Sequence, residues 1–301
     1  MPSHITVLPA STVAGKATIR LLLASEKNPF VRAIYRDPSK VPEEFTKHPR
    51  FEAVKGDVGA GSPFDFSGSD AIFYIPPPTF DGKDTAEFAT QAANGVADAI
   101  RRAPSVKRLI LHSAVGAHHD SGIGVLRLNH ISDRILETAA PEVVIVKPCN
   151  YIENWTRALK AVQQGSSLES TFSPPDFKMP LVSILDVAEY CAKALLDESA
   201  NKPSLKSAKI FGPRLYSTLD IQDAMEEVTG KKGELVIIPP EGLAEYFDKG
   251  MPEKYVSDFV ELITAQLPGA ILEREYGYGE DTVRGKVELV DGLRGIAAQW
   301  I

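Results

Sequence analysis

Short apolar runs alternate with helical segments through the first half of the chain, and this alternation constrains the fold more than any other feature. The apolar runs lie at 5–8, 30–35, 51–54, 71–75, 108–112 and 143–147. Helical patterns lie between several of them, at 15–25, 41–47, 84–103 and 127–139. Continuous apolar runs are typical of strands buried on both faces, and strands that alternate with helices form parallel sheets. The sequence therefore predicts an α/β fold with a doubly wound parallel sheet.

The pattern changes after Asn154, where helices and short strands follow no regular alternation. A helix is predicted over 186–198 with Asp186 as its N-cap, and another begins at Ser217 or Thr218 and ends at Gly230. No linker rich in proline, glycine or serine separates two domains in the sequence. We therefore expect a first domain over 1–155 and a smaller C-terminal lobe over 156–301, with 180–198 returning to the first domain.

Charge and cysteine content argue against several classes of protein. The 301 residues carry a net charge of −7, whereas nucleic-acid-binding proteins present a basic surface. The two cysteines, Cys149 and Cys191, form no CxxC pair, which favours a reducing compartment and a cytoplasmic location. No apolar run reaches the roughly 18 residues that a membrane helix needs. We expect no metal site, and the composition leaves a monomer and a dimer open.

The segment after the first apolar run has the layout of a dinucleotide-binding turn without most of its glycines. Glycines normally allow close approach of a pyrophosphate, whose charge is bound by amides at the start of the next helix. Here Ser11, Thr12 and Val13 precede Gly15, the one glycine in the turn. These residues are candidate cofactor ligands, with the hydroxyls of Ser11 and Thr12 as phosphate donors. The alternative is a strand–helix turn that binds no ligand.

A basic residue follows the second apolar run at the position that selects between nicotinamide nucleotides. An acidic residue there binds the ribose 2′-hydroxyl of NAD, whereas an arginine suits the 2′-phosphate of NADP. This chain has Arg36 at that position, and Lys40 adds a second positive charge. The pair predicts NADP as the cofactor, against the alternative of solvated basic residues at a strand end.

Three further segments follow predicted strands and supply the remaining candidate cofactor ligands. Asp57 and Val58 follow the third run, Pro76 and Pro77 follow the fourth, and Ser113 follows the fifth. Ligands of open α/β sheets bind outside the carboxyl ends of the strands, so these residues are expected to converge. We accordingly predict a Rossmann-type, NAD(P)-binding domain over 1–155 and a substrate-binding lobe over 156–301.

Several longer motifs resemble the NmrA-like family of atypical short-chain dehydrogenase/reductases. They include VRAIYRDPSK, GDVGAG, SDAIFYIPPP, RLILHSAVGA and VVIVKPCNYIENW, and the resemblance covers residues 4–240. It implies an NAD(P)-dependent oxidoreductase, similar to isoflavone reductases and fungal ergot-alkaloid dehydrogenases. The turn of that family reads G-A-T-G-x-x-G, whereas this chain has P-A-S-T-V-A-G over 9–15. The replaced glycines leave open whether NADP binds tightly, weakly or not at all.

A second departure concerns the catalytic residues that the resemblance implies. Catalytic members of the family carry a lysine, in some cases within a Y-x-x-x-K pair, on the helix after the fifth strand. Alignment by the sixth strand places Val125 and Asn129 at those positions, or His130 with a shift of one, so the pair is absent. Histidine titrates near neutral pH and serves readily as acid or base. The candidate acid/base groups are His130, Tyr151, His118 and His119.

Three functions are compatible with these features. The first is an NADP-dependent reductase of a small hydrophobic natural product in secondary metabolism, with an imine, an iminium or a conjugated C=C as hydride acceptor. The second is a redox-neutral isomerase, cyclase or dehydratase of secondary metabolism, which the lost glycines and lysine favour. The third is a non-catalytic NADP redox sensor that regulates through a protein partner. A small hydrophobic substrate is expected, and binding to nucleic acid or membrane is not.

Overall fold

The computed structural model of the chain describes residues 3–60, 64–198 and 204–298. Within them, every strand of the first half matches a predicted apolar run to within one or two residues. The strands are β1 His4–Leu8, β2 Phe30–Tyr35, β3 Phe51–Lys55, β4 Ala71–Tyr74, β5 Arg108–His112, β6 Glu142–Pro148, β7 Asn150–Tyr151, β8 Leu168–Ser170, β9 Met179–Val182, β10 Ser204–Phe211, β11 Leu215–Tyr216, β12 Leu235–Ile237 and β13 Thr282–Arg284.

The helices of the first half alternate with its strands as the sequence predicts. The helices are α1 Val13–Ala24, α2 Glu43–Thr46, α3 Thr85–Arg102, α4 Arg127–Leu136, α5 Thr156–Gln163, α6 Ile184–Leu195, α7 Thr218–Thr229, α8 Leu243–Asp248, α9 Glu253–Gln266 and α10 Leu289–Ala297. None of the helices in the described ranges is both long enough and apolar enough to cross a membrane.

The main sheet confirms the predicted α/β, doubly wound fold. Over the described residues its eight strands lie in the order β3-β2-β1-β4-β5-β6-β10-β13. The first six strands of this order have the arrangement 3-2-1-4-5-6 of a Rossmann-type sheet. Successive pairs from β3 to β6 are parallel, with Val7 opposite Ala33 on one side of β1 and opposite Phe73 on the other. The order in which strands are added to the sheet reverses across the β1–β4 junction, and the carboxyl ends of these parallel strands lie at one edge.

The chain divides into two compact units. The first comprises residues up to 118, 127–147 and 187–208, and the second comprises 119–126, 148–186 and those from 209 onward. The first unit has an apolar core in which α3 and α4 pack together, with Val96, Ile100 and Leu136 among the buried side chains. The second has a separate core around Ile152, Leu181 and Met225. The roles predicted for 1–155 and 156–301 stay predictions.

Two boundary predictions in the second half were tested by hydrogen bonds at helix starts. The predicted N-cap at Asp186 is wrong, because α6 begins at Ile184, whose amide donates to the carboxylate of Glu153 at 3.0 and 3.1 Å. Asp186 instead accepts hydrogen bonds from the amides of 286 and 287. The predicted start of α7 is confirmed at Ser217, whose hydroxyl accepts from the Asp220 amide, and α7 ends at Gly230 with φ of 69°.

Candidate functional site

The predicted dinucleotide turn joins β1 to α1, and its hydrogen bonds show how it folds without glycines at positions 9 and 12. Thr12 is the N-cap of α1, and its Oγ1 accepts from the Gly15 amide at 3.0 Å while donating to the Pro9 carbonyl at 3.1 Å. The backbone of Thr12 is extended, with φ of −65° and ψ of 158°, which any residue adopts. Position 12 therefore needs no glycine for its conformation.

Gly15 is required for close packing rather than for an unusual backbone angle. A Cβ at this position would lie 2.8 Å from Thr12 Oγ1 and 3.0 Å from the Pro9 carbonyl oxygen. The first turn of α1 therefore lies directly against the backbone that leaves β1. This packing sets the direction in which the amides at the start of α1 point.

The start of α1 has the donor chemistry that a phosphate group needs. The first amides of a helix have no partner within the helix, and the positive end of the helix dipole attracts anions. Thr12 Oγ1 takes the Gly15 amide, which leaves the amides of Val13 and Ala14 as the donors that the helix itself does not use. Ser11 and Val13 are exposed, so the turn is open to a ligand. The Thr12 hydroxyl proton, in contrast, is committed to Pro9.

Arg36 and Lys40 follow β2 and are both exposed. Between them, the Asp37 carboxylate accepts hydrogen bonds from the Ser39 hydroxyl at 2.7 Å and from the Ser39 amide at 3.1 Å. These bonds hold the pKa of Asp37 below its ordinary value, and the charges of Lys40 and Lys55 add to the effect. Asp37 is the N-cap of a short 3₁₀ helix at Pro38–Lys40, and its carboxylate is bound within that turn. Arg36 and Lys40 remain as two exposed cations, as a 2′-phosphate requires.

The other predicted cofactor residues lie at the ends of β3 and β4. Asp57 is half-buried and accepts a hydrogen bond from the Gly59 amide at 2.9 Å, while Val58 is buried. Pro76 is buried and Pro77 is half-buried, directly beyond β4. Because β3 and β4 are parallel to β1, these residues lie at the same carboxyl edge as the turn before α1. They provide apolar surface and one carboxylate there.

Ser113, directly beyond β5, connects this edge of the sheet to α4 through its side chain. Its amide donates to the Val146 carbonyl at 2.7 Å, and its hydroxyl donates to Asp133 Oδ2, also at 2.7 Å. Asp133 is 7% exposed, and its Oδ1 has no hydrogen-bond partner among the described residues. Burial raises the pKa of Asp133 to about 6, against the lowering effects of the Ser113 hydrogen bond and the charges of Lys147 and His130.

His130 lies one helical turn before Asp133 on α4, and its ring is fixed by the backbone. Nδ1 lies 2.9 Å from the carbonyl oxygen of Ala117. A carbonyl only accepts hydrogen bonds, so Nδ1 carries the proton of the neutral ring and Nε2 carries the lone pair. The ring is half-buried. His130 therefore presents Nε2, with its lone pair, in a fixed orientation.

The remaining predicted acid/base groups differ in their surroundings. His118 is exposed and ends the first long segment of the first unit. His119 and Tyr151 belong to the second unit, where His119 Nε2 lies 3.7 Å from Glu275 Oε1 and Tyr151 is half-buried at the end of β7. Glu275 also forms an ion pair with Lys209, with 2.8 Å between Oε2 and Nζ. Within the first unit, the structure brings together His130, Asp133 and Ser113.

Asp133 and Lys147 are candidate functional residues that sequence reasoning missed. Asp133 lies three residues after His130, which places both on one side of α4. Lys147 interrupts the apolar strand VVIVKP and is half-buried near the end of β6. A charge inside an otherwise apolar strand was the available signal for Lys147. Nothing in the sequence alone indicated that Asp133 meets Ser113.

The first unit also has a cavity of about 740 Å³ at the other edge of the sheet. Its lining includes Leu21, Arg108, Glu142, Val144 and Leu196, near the amino ends of β5 and β6. None of the predicted site residues lines it. Ligands of Rossmann-type sheets bind at the carboxyl ends of the strands, so the residues beyond β1, β2 and β5 form the better candidate site despite the size of this cavity.

Three solved structures share the fold at low sequence identity. Triphenylmethane reductase from Citrobacter sp., complexed with NADP(H), is 17% identical, covering 99% of this chain and 100% of that chain, with a TM-score of 0.68. NADPH-dependent quinone oxidoreductase from Escherichia coli, complexed with NADPH, is 15% identical with the same coverage and a TM-score of 0.69. A nucleoside-diphosphate-sugar epimerase from Staphylococcus aureus is 12% identical, covering 97% and 99%, with a TM-score of 0.70.

Identities this low establish the fold alone, and comparison with curated proteins finds no match. Family assignment rests on a separate comparison, in which residues 1–269 match the NmrA-like family. The matched region contains the turn before α1, the basic residues beyond β2, and the cluster of Ser113, Asp133 and His130. This chain belongs to the NmrA-like family.

Proposed function

We propose that the protein binds NADP(H) and reduces a small hydrophobic substrate that contains an imine, an iminium or a conjugated C=C. The observation that carries the proposal is the pairing of two anion-binding features at one edge of the sheet. The start of α1 offers the amides of Val13 and Ala14, and the end of β2 offers exposed Arg36 and Lys40. A dinucleotide with a 2′-phosphate requires this combination.

The residues present fit the nucleotide, although the turn departs from the family pattern. Thr12 folds its hydroxyl inward onto Pro9 and Gly15, so the turn keeps its shape and its helix amides without the missing glycines. Gly15 is retained where a Cβ would meet the backbone. Bound NADPH supplies hydride, and the protein supplies orientation and protons.

His130 is the proposed proton donor because its Nδ1 is held by the Ala117 carbonyl, which leaves Nε2 as the nitrogen that faces a proton acceptor. A protonated imidazole gives a proton to a neutral imine nitrogen, or to the carbon or oxygen that becomes anionic when a conjugated C=C accepts hydride. An iminium carries its charge already and needs no such proton. This difference explains how the chain dispenses with the tyrosine–lysine pair of its family.

The solved structures support the proposal without extending to the substrate. Two of them are described as reductases in complex with NADP(H) or NADPH. They share the fold of this chain over nearly its whole length. We propose the substrate class from the missing catalytic pair, and a place in secondary metabolism from the resemblance to isoflavone reductases and fungal ergot-alkaloid dehydrogenases.

Nucleotide binding to the purified protein tests the cofactor. Calorimetry is expected to show tighter binding of NADPH than of NADH, with Arg36→Ala lowering NADPH affinity by about 10- to 100-fold, the effect of losing one charged hydrogen bond. The matched control is Arg101→Ala, an exposed arginine at the end of α3 that pairs with Asp98. Equal effects of the two substitutions, or no binding of NADPH, would overturn the assignment.

A labelled nucleotide tests the reaction. NADPH deuterated at both hydrogens of C4 is offered with a panel of cyclic imines, iminium salts and enones, and the products are analysed by mass spectrometry. Deuterium in the product supports a reductase, and His130→Gln is then expected to slow neutral imines more than iminium salts. Product without deuterium supports the redox-neutral isomerase, cyclase or dehydratase. Tight binding without any turnover supports the redox sensor.

A further inference from the structure

A buried serine–aspartate pair lies beyond β5, and the proposed function leaves its aspartate unused. Ser113 is 1% exposed and Asp133 is 7% exposed, with 2.7 Å between Ser113 Oγ and Asp133 Oδ2. The second carboxyl oxygen of Asp133 is buried and has no hydrogen-bond partner among the described residues. A structural carboxylate normally satisfies both of its oxygens, so this one is poorly compensated as an anion.

The surroundings of Asp133 explain why its neutral form is accessible. Burial raises the pKa of Asp133 to about 6, while the hydrogen bond from Ser113 opposes the rise. Lys147 on β6 and His130 on α4 also favour the anion, and Glu137 just beyond α4 disfavours it. Helix α3 packs against α4, and its buried side chains are alanines, Val96 and Ile100, which carry no charge. The carboxyl group therefore changes its protonation near neutral pH.

The protonation of Asp133 decides the direction of the hydrogen bond between the two side chains. A serine hydroxyl has one proton and two lone pairs. When Asp133 is ionised, the Ser113 proton is given to Oδ2, and Oγ offers only lone pairs to a ligand. When Asp133 is protonated, it donates to Ser113 Oγ, and the Ser113 proton is released for an acceptor atom of a ligand.

We infer that Asp133 is a positioning residue that takes up a proton when NADPH binds and thereby turns the Ser113 hydroxyl into a hydrogen-bond donor to the ligand. The inference rests on the proposed function, because the ligand is the nucleotide proposed above. Ser113 lies at the carboxyl edge that the nucleotide would occupy, and Asp133 acts only through it. The change moves one proton from solvent to the carboxylate and breaks no covalent bond.

Calorimetry with NADPH tests the inference through protons rather than turnover. Titrations at pH 7 in buffers of different ionisation enthalpy measure the protons taken up per nucleotide. The wild-type protein is expected to take up nearly one proton more than Asp133→Asn or Ser113→Ala. Its NADPH affinity falls by up to about tenfold per pH unit above pH 6, following the same linkage. The 2′-phosphate of the nucleotide titrates in every variant and cancels in the difference.

His130→Gln is the matched control, since it removes the imidazole that lies one helical turn from Asp133 on the same helix. It is expected to keep the extra proton uptake. Circular dichroism confirms that each variant is folded, and the pH dependence of the wild-type protein needs no variant. Uptake that is equal in wild type and Asp133→Asn, or that disappears only in His130→Gln, would overturn this inference alone. Absence of NADPH binding at every pH would overturn it together with the proposed function.

Discussion

Two buried carboxyl groups, those of Glu142 and Asp133, lie near opposite edges of the same sheet and differ in their bonding partners. Glu142 begins β6 at the amino edge, is 3% exposed, and has a cation on each oxygen. Arg108 Nε lies 2.5 Å from Oε2, and Lys206 Nζ lies 2.7 Å from Oε1. Asp133 lies beside the carboxyl edge with a serine on one oxygen and no partner among the described residues on the other.

The pKa values of the two groups are therefore shifted in opposite directions from their ordinary values. Burial alone would raise the pKa of Glu142, but the hydrogen bonds from Lys206 and Arg108 hold it below its ordinary value. Burial raises the pKa of Asp133 to about 6, and no cation among the described residues forms an ion pair with it to offset this rise. A compensated charge fits a structural role, whereas an uncompensated one lies where a ligand is expected.

The largest effect is expected when Glu142 loses its buried partner. Arg108 is 5% exposed and also donates to the Ala194 and Asp197 carbonyls. Arg108→Met leaves a buried carboxylate with Lys206 alone and is expected to lower the free energy of unfolding by about 3 to 5 kcal/mol. Urea denaturation measures the loss, with the exposed Arg101→Ala as the control, expected below about 1 kcal/mol. Similar losses for the two variants would show that the amino-edge pair contributes little.

The second effect concerns the sign of pH dependence at Asp133. The pKa is raised from 3.8 to about 6 in the folded state, so folded protein binds more protons than unfolded protein between these values. The stabilising neutral form is fully present below pH 3.8 and is lost as pH rises through 6. Wild-type protein should therefore lose about 3 kcal/mol relative to Asp133→Asn between pH 3 and pH 7.

Glu142 sharpens that test because its trend is opposite. Its lowered pKa contributes stability above its unfolded value, and that contribution is lost as pH falls through the folded value. Glu142→Gln should therefore remove part of the fall in the free energy of unfolding that the wild-type protein shows toward acid pH. Asp133→Asn should instead remove part of the fall in the free energy of unfolding toward neutral pH. Parallel pH profiles of the two variants would contradict the distinction between the edges.

A smaller effect tests whether the carboxyl edge is also sterically constrained. Gly15→Ala places a Cβ 2.8 Å from Thr12 Oγ1 and 3.0 Å from the Pro9 carbonyl oxygen, and is expected to destabilise by about 1 to 3 kcal/mol. Gly95→Ala on α3 is the control, because among the described residues its Cβ comes within 4 Å of Phe64 alone, at 3.8 Å. It is expected to stabilise by about 0.5 to 1 kcal/mol. Thermal unfolding compares the stabilities of the two variants. Unchanged stability in Gly15→Ala would mean that the turn shifts to accommodate the added Cβ.

The smallest effect separates the two cations at the amino edge. Lys206 has a side chain that is 55% exposed, whereas that of Arg108 is 6% exposed. Lys206→Met is expected to lower the free energy of unfolding by about 1 kcal/mol or less, because solvent screens a half-exposed charge. A loss as large as that of Arg108→Met would assign the compensation of Glu142 to both cations equally. The same denaturation series measures it.

The strands and helices of the first half were predictable because each leaves a local pattern. The runs that became β1 to β6 are short, apolar and bounded by turn residues, which is what burial on both faces of a parallel sheet demands. β13 was missed because it lacks this pattern, since Thr282–Arg284 is largely exposed and has no apolar run. The start of α6 was misplaced because the group that binds its first amide, Glu153, lies 31 residues earlier.

The candidate site was only partly predictable. The turn before α1 and the basic residues beyond β2 are contiguous segments whose chemistry can be read in order. The pairing of Ser113 with Asp133 joins residues 20 apart, and that of Arg108 with Glu142 joins residues 34 apart. The second pairing follows from the register of β5 and β6, and the first from the docking of α4. Neither is encoded in any local pattern.

By itself, the sequence determined the class of the fold, the order of its strands and helices, and the placement of the candidate anion-binding residues beyond β1 and β2. These depend on hydrophobic periodicity and on residue types within short segments. Only the tertiary structure decided which carboxyl group is paired and which is not. The pKa of a buried acid depends on the charges and donors that distant segments bring to it. That is why Glu142 and Asp133, equally unremarked in the sequence, have opposite properties in the folded protein.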